Sequence, residues 1–127
     1  MTEESDSKNT FRICDELGLS ALVEVHDEQE VQTALNTGAR IIGVNNRNLK
    51  DFSVDTDNSR RLRELIPPNV LFVSESGVRT AEDVETLREI GADAVLIGET
   101  LMRASDKRAK LSRTARCEYD EKSSCAV

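Results

Sequence analysis

Two stretches of the sequence, Val73-Ser74-Glu75-Ser76-Gly77 and Leu96-Ile97-Gly98-Glu99-Thr100-Leu101, each end an apolar run abruptly in small residues and one carboxylate. Small residues at a strand's end suit an anion such as phosphate, because glycine lets the backbone come close and the exposed amides donate hydrogen bonds. In the first loop Gly77 permits that approach, and Glu75 stands where it would face a ligand. In the second, the amides after Gly98 can open a short helix whose dipole favours an anion, while the Glu99 side chain opposes one. Each loop also has a plainer reading, with Gly98 as a tight turn and Glu99 as a helix-start carboxylate that satisfies the dipole itself.

Glu24 adds acid/base chemistry. It interrupts the apolar run Leu22-Val23-Glu24-Val25, and the two-residue period of a strand points it away from Val23 and Val25. On the inside of a barrel mouth such a carboxylate would be desolvated, bind its proton more tightly, and serve as general acid or base. At a strand end it could equally pair with a Lys or Arg. Asn45-Asn46-Arg47-Asn48 follows the run Ile41 to Val44. Asn tolerates left-handed backbone, so this reads as a turn, but Arg47 could clamp a carboxylate or phosphate by paired hydrogen bonds, or neutralise Glu24 or Glu75. His26 is the single histidine. Without a second imidazole or a thiolate cluster it reads as a loop or capping residue rather than a catalyst or metal ligand.

These residues need elements to position them, and the sequence marks the elements clearly. Gly18, Gly38 and Gly91 each close a helix and precede an apolar strand, at Leu22 to Val25, Ile41 to Val44 and Ala94 to Ile97. Asp27 three residues before Glu30 predicts a capped helix carrying Val31, Ala34 and Leu35. A helix beginning in Asp55 to Asn58 presents Leu62, Leu65 and Ile66 and must stop at Pro67-Pro68. The strand Val70 to Val73 follows, and Thr80 with Asp83 caps a helix carrying Val84, Leu87 and Ile90. Phe11, Cys14 and Leu17 mark a short helix before Gly18, and a last helix covers about Ser105 to Ser112. The expectation is four strands and about five helices in residues 10–111, with residues 1–9 and 112–127 as polar tails.

Composition narrows the function classes. The 127 residues are 38% hydrophobic and only 3% aromatic, which suits buried parallel strands of Val, Ile and Leu under helices. A net charge of -7 argues against general binding to nucleic acid or an anionic membrane. The longest apolar runs fall far short of the roughly 20 residues of a membrane span. Met1 to Asn9 lacks the apolar stretch of a signal peptide, so a cytoplasmic protein is expected. Cys14, Cys117 and Cys125 share no CxxC spacing, which disfavours a disulfide framework or a zinc site, and only two residues follow Cys125, one too few for prenylation.

A small doubly wound sheet would carry its glycine fingerprint after the first strand, whereas here the glycine loops follow the last two. That placement matches the final quarter of an eight-stranded βα barrel, whose last two loops build a phosphate site. The four βα units then correspond to the second half of a (βα)8 barrel, with parallel strands inside and helices outside. Four such units alone leave two edge strands and one sheet face unclosed, so a second copy or a complementary amino-terminal half-barrel is the expected partner.

Leu22-Val23-Glu24-Val25-His26, Ile42-Gly43-Val44-Asn45-Asn46-Arg47-Asn48-Leu49, Val73 to Gly77 and Ala94 to Met102 together resemble the indole-3-glycerol-phosphate synthases of tryptophan biosynthesis, in that family's order and spacing from about Thr10 to Leu111. The resemblance implies strands five to eight of the barrel. It also implies a carbon-carbon lyase that closes the ring of 1-(2-carboxyphenylamino)-1-deoxyribulose 5-phosphate with loss of carbon dioxide and water, without cofactor or metal. By position, Glu24 resembles the catalytic carboxylate of strand five, Asn45 the asparagine that orients substrate hydroxyls, and Glu75 and Ser76 the substrate contacts of strand seven. Arg47 resembles a supporting residue, and Gly77, Gly98 and Glu99 match positions whose backbone surrounds the phosphate. The family's strand-one glutamate and lysine and its strand-three lysine have no counterpart here, and Lys50 cannot replace them by position. The chain alone is therefore expected to lack synthase activity, or nearly so. A half-barrel that binds phosphate ligands or self-assembles without catalysis, and another sugar-phosphate barrel enzyme, are the alternatives.

Overall fold

The computed structural model describes residues 3–47, 55 and 57–115. Their elements run α1 (Glu3–Glu16), β1 (Leu22–Val25), α2 (Glu28–Thr37), β2 (Ile41–Asn45), α3 (Asp57–Arg63), β3 (Leu71–Glu75), α4 (Ala81–Glu89), β4 (Ala94–Leu96), α5 (Glu99–Met102) and α6 (Lys107–Ala115). All four strands are parallel and lie side by side in sequence order, with Leu22 opposite Ile41, Ile41 opposite Leu71 and Val73 opposite Ala94. Parallel neighbours require the chain to return between strands, and α2, α3 and α4 supply the returns.

Local chemistry sets the helix ends. The Asp27 side chain accepts from the Glu30 amide to start α2, and Gly38, at φ 89°, ends it by accommodating the left-handed conformation. Thr80 and Asp83 cap each other's backbone at the start of α4. On the helix side of the sheet Val25, Ile42, Val44 and Phe72 meet Val31, Ala34 and Leu62 in one buried cluster. The opposite face carries the alternate residues and stays open: Leu22, Leu71 and Leu96 are 44%, 51% and 50% exposed. A surface of that composition belongs in the interior of a closed barrel.

Both ends of the body extend further than expected. Residues 3–9, expected as part of a polar tail, belong to α1. This helix has no sustained apolar stripe to read; Phe11 packs on the core, and Arg40 reaches back to Asp15 from the start of β2. At the other end α6 continues through Ala115, with Thr114 only 2% exposed, so residues 112–115 belong to the packed body. The remaining tail, with Cys117 and Cys125, lies outside the described residues, as do Asn48, Leu49, Lys50 and most of the segment leading into α3.

Candidate active site

The carboxyl ends of β1, β2 and β3 bring Glu24, Asn45 and Glu75 together on the open face. Glu24 lies opposite Gly43, and Asn45 opposite Glu75. Asn45 donates from Nδ2 to Glu24 Oε1 at 3.2 Å, while its own Oδ1 accepts from the Arg47 amide at 2.9 Å. Gly43 stands between the two carboxylates. A Cβ there would fall 2.0 Å from Glu75 Oε1 and 3.2 Å from Leu22 Cδ1, so only glycine lets the Glu75 side chain lie across β2 toward Glu24. No sequence period marks that role.

Glu75 is buried, and its Oε1 has no hydrogen-bond partner. Burial first, then a hydrogen bond and the like charge of Glu24, raise its pKa above the ordinary carboxylate value; His26 opposes this weakly. The tighter proton binding expected of a mouth carboxylate is therefore found at Glu75. The Glu24 side chain is 47% exposed on the open face. Because folded Glu75 holds its proton more tightly than in the unfolded chain, the folded state is favoured where Glu75 is protonated. Stability should fall as pH rises from about 4.5 through the raised folded value and then level off. In Glu75→Gln this loss should disappear, leaving the variant gaining on the wild type across that window. Urea midpoints measured at successive pH values check this; parallel wild-type and variant curves would refute it.

The loops beyond the strands are tied together from below. Asn46, 3% exposed, donates from Nδ2 to Ser74 Oγ at 3.1 Å and to the Ser76 carbonyl at 3.2 Å. Its Oδ1 accepts from the Ser59 amide at 3.1 Å and from Ser59 Oγ at 2.9 Å. One side chain thus joins the β2–α3 loop, the first turn of α3 and the β3–α4 loop. Ser76 is held at φ 65°, with Gly77 at 86°. That conformation is unfavourable for a serine, and the bond from Asn46 to its carbonyl holds it. Asn58 secures the β1–α2 loop likewise, donating to the His26 carbonyl at 3.1 Å.

Beside the carboxylates a cleft of about 760 Å³ lies between the β3–α4 and β4–α5 loops, reaching Ser76, Gly77, Gly98 and Glu99. Five cationic side chains line it, Arg47, Arg79, Arg103, Lys110 and Arg113, against the acids Glu99 and Asp106. In an acidic chain this is a local concentration of positive charge. Thr100 Oγ1 donates to the Val78 carbonyl at 2.7 Å and Lys110 Nζ to that of Arg79 at 2.8 Å, tying α5 and α6 to the β3–α4 loop. Arg47, which the sequence suggested could neutralise Glu24 or Glu75, instead donates to Glu99 Oε2; Arg103 Nη2 meets the other Glu99 oxygen at 3.0 Å. These two guanidiniums, Arg47 foremost, hold the Glu99 carboxyl below its usual range. The side chain that opposes an anion is thereby neutralised. Among the described residues no group of three or more His, Cys, Asp and Glu could hold a metal ion, and no helix is long and apolar enough to cross a membrane.

Parallel strands in sequence order, helices on one side and polar residues gathered at the strands' carboxyl ends define a segment of a (βα)8 barrel. A solved structure described as native KDPGal aligns with 86% of this chain and 52% of its own, with a TM-score of 0.66 and 17% identity, a likeness of fold. A sequence model of indole-3-glycerol phosphate synthase matches residues 1–114, and the chain belongs to that family. The indole-3-glycerol phosphate synthase of Ruminiclostridium cellulolyticum is 62% identical over 106 residues, 84% of this chain and 41% of the relative. That of Leuconostoc mesenteroides is 55% identical over 106 residues, covering 84% and 40%. The chain spans about two fifths of the length of the relatives it matches.

Proposed function

We propose that this chain supplies the second half of an indole-3-glycerol phosphate synthase site, acting on 1-(2-carboxyphenylamino)-1-deoxyribulose 5-phosphate once the first half of the barrel is provided. The observation that carries this reading is the convergence of Glu24, Asn45 and Glu75 at three adjacent strand ends beside a cleft rich in arginine. Ring closure and dehydration both need placed proton donors and acceptors. Glu24 is the base of dehydration, and Asn45 orients it and the substrate hydroxyls. Glu75, kept protonated longer by burial, is the second member of the acid/base set. Arg47, Ser76, Gly77, Gly98 and Glu99 surround the phosphate, with Arg47 and the loop amides as donors and the Glu99 side chain held aside by its arginines.

The open face of Leu22, Leu71 and Leu96 is the surface on which the complementary amino-terminal half-barrel closes; a second copy of the chain is the competing occupant. The reaction needs no metal or cofactor, and the enzyme acts in the cytoplasm. Mixing the chain with the amino-terminal segment of the Ruminiclostridium cellulolyticum relative that it does not match should yield indole-3-glycerol phosphate, while the chain alone should not. Turnover by the chain alone at ordinary synthase rates would overturn the proposed division of the site. Phosphate-ligand binding by an associated mixture that turns nothing over would favour a binding half-barrel instead.

A further inference from the structure

His26 reads from sequence as a loop or capping residue, and its amide does serve the start of α2, donating to Glu30 Oε2 at 2.7 Å. Its ring does something else. Nδ1 lies 3.2 Å from the same Glu30 oxygen, while Nε2, on the far side of the ring, is buried, makes no hydrogen bond and sits 3.4 Å from Glu24 Oε1. A carboxylate only accepts, and of the two ring nitrogens only Nδ1 is in hydrogen-bond geometry with one, so Nδ1 carries the proton that faces Glu30. In the neutral ring Nε2 then holds the lone pair. The backbone is fixed as well, since Asn58 of α3 bonds the His26 carbonyl. The charged groups around the ring are Glu24 on β1, Glu30 on α2 and Glu75 on β3.

We propose that His26 is a positioning residue for Glu24: Glu30 fixes the ring as the Nδ1–H tautomer, and Nε2 accepts the proton that Glu24 acquires. In that transfer the Glu24 O–H bond breaks and an Nε2–H bond forms. The ring becomes an imidazolium whose other N–H stays on Glu30, and Glu24 returns to a carboxylate. The step from Glu24 rests on the proposed reaction; the locked tautomer rests on geometry alone.

The sole histidine makes the test clean, because the ¹⁵N-labelled chain has one pair of imidazole nitrogens. For the neutral ring, the ¹⁵N shifts should show mainly the Nδ1–H tautomer. Glu30→Ala should return the ring to the Nε2–H form that free histidine prefers. Glu30→Gln, whose amide oxygen still accepts from Nδ1–H, should keep the wild-type tautomer and guards against a misfolded alanine variant. Glu24→Gln should move the Nε2 resonance and leave Nδ1 nearly still. A wild-type ring mainly in the Nε2–H form, no change in a folded Glu30→Ala chain, or an unmoved Nε2 in Glu24→Gln would each overturn the proposal. None of these readings needs turnover. Failure of the completed barrel to make product with the tautomer intact would count against the reaction and leave the locked ring standing.

Discussion

Alanine in place of Asn46 is expected to destabilise the chain by about 3 kcal/mol or more, because it strands several buried groups at once. The Ser59 amide and hydroxyl lose their acceptor, and Ser74 and the Ser76 carbonyl lose a donor. Ser59 and Ser74 still bond each other at 2.8 Å, which spares part of the loss. The buried amide of Ser59 has no such recourse, and an orphaned buried donor costs roughly 1–3 kcal/mol alone. Ser76 also loses the contact that keeps it at positive φ. Asn46→Asp should be nearly as harmful, since a carboxylate can accept from Ser59 but cannot donate to Ser74 or Ser76. Urea denaturation measures both; a loss below about 1 kcal/mol would show that the surroundings relax to satisfy these groups.

In a barrel completed by an amino-terminal half, Glu24→Gln should lower kcat by about 10²–10⁴-fold, the usual range for a lost general acid or base, with KM little altered. Glutamine keeps the size of the side chain and can still accept from Asn45, so association of the halves and ligand binding should survive. What disappears is an oxygen able to take a proton. A fall in kcat/KM carried by KM alone would assign Glu24 to uniform binding instead. A comparable fall on Asn45→Ala would agree with the bond from Asn45 Nδ2 to Glu24 Oε1, because a misaimed base loses rate steeply.

Those residues that lie on one repeating pattern are legible in the sequence. The strand Leu22 to Val25 and the start and stop of α2 fall where the apolar period, Asp27 and Gly38 put them. The placing of Glu24 on the face opposite Val25 follows from alternation. Apolarity alone puts the strand ahead of the first glycine loop at Val70 to Val73, whereas it runs Leu71–Glu75, because Ser74 and Glu75 are polar residues that continue a ladder. Patterning also stopped short at α1, whose polar turns carry no stripe. In the site, the strand-end carboxylates and glycine loops were legible as types at positions. The partners of Arg47, Asn46 and His26 were not, since each contact joins residues far apart in the chain or, for His26, turns a ring whose backbone role looked sufficient. Gly43 was unreadable for a related reason: what it does is leave room.

Neighbouring strands of the sheet are also consecutive in the chain, β2 pairing with β1, β3 with β2 and β4 with β3. A chain leaving the ribosome amino terminus first can therefore dock every new βα unit on a finished neighbour, with no strand waiting for a distant mate. The last such docking, of β4 on β3, brings Gly98 and Glu99 beside Ser76 and Gly77, and α6 then completes the arginine-lined cleft with Lys110 and Arg113. Until then, the nascent chain carries its three strand-end residues, Glu24, Asn45 and Glu75, without the cleft beside them.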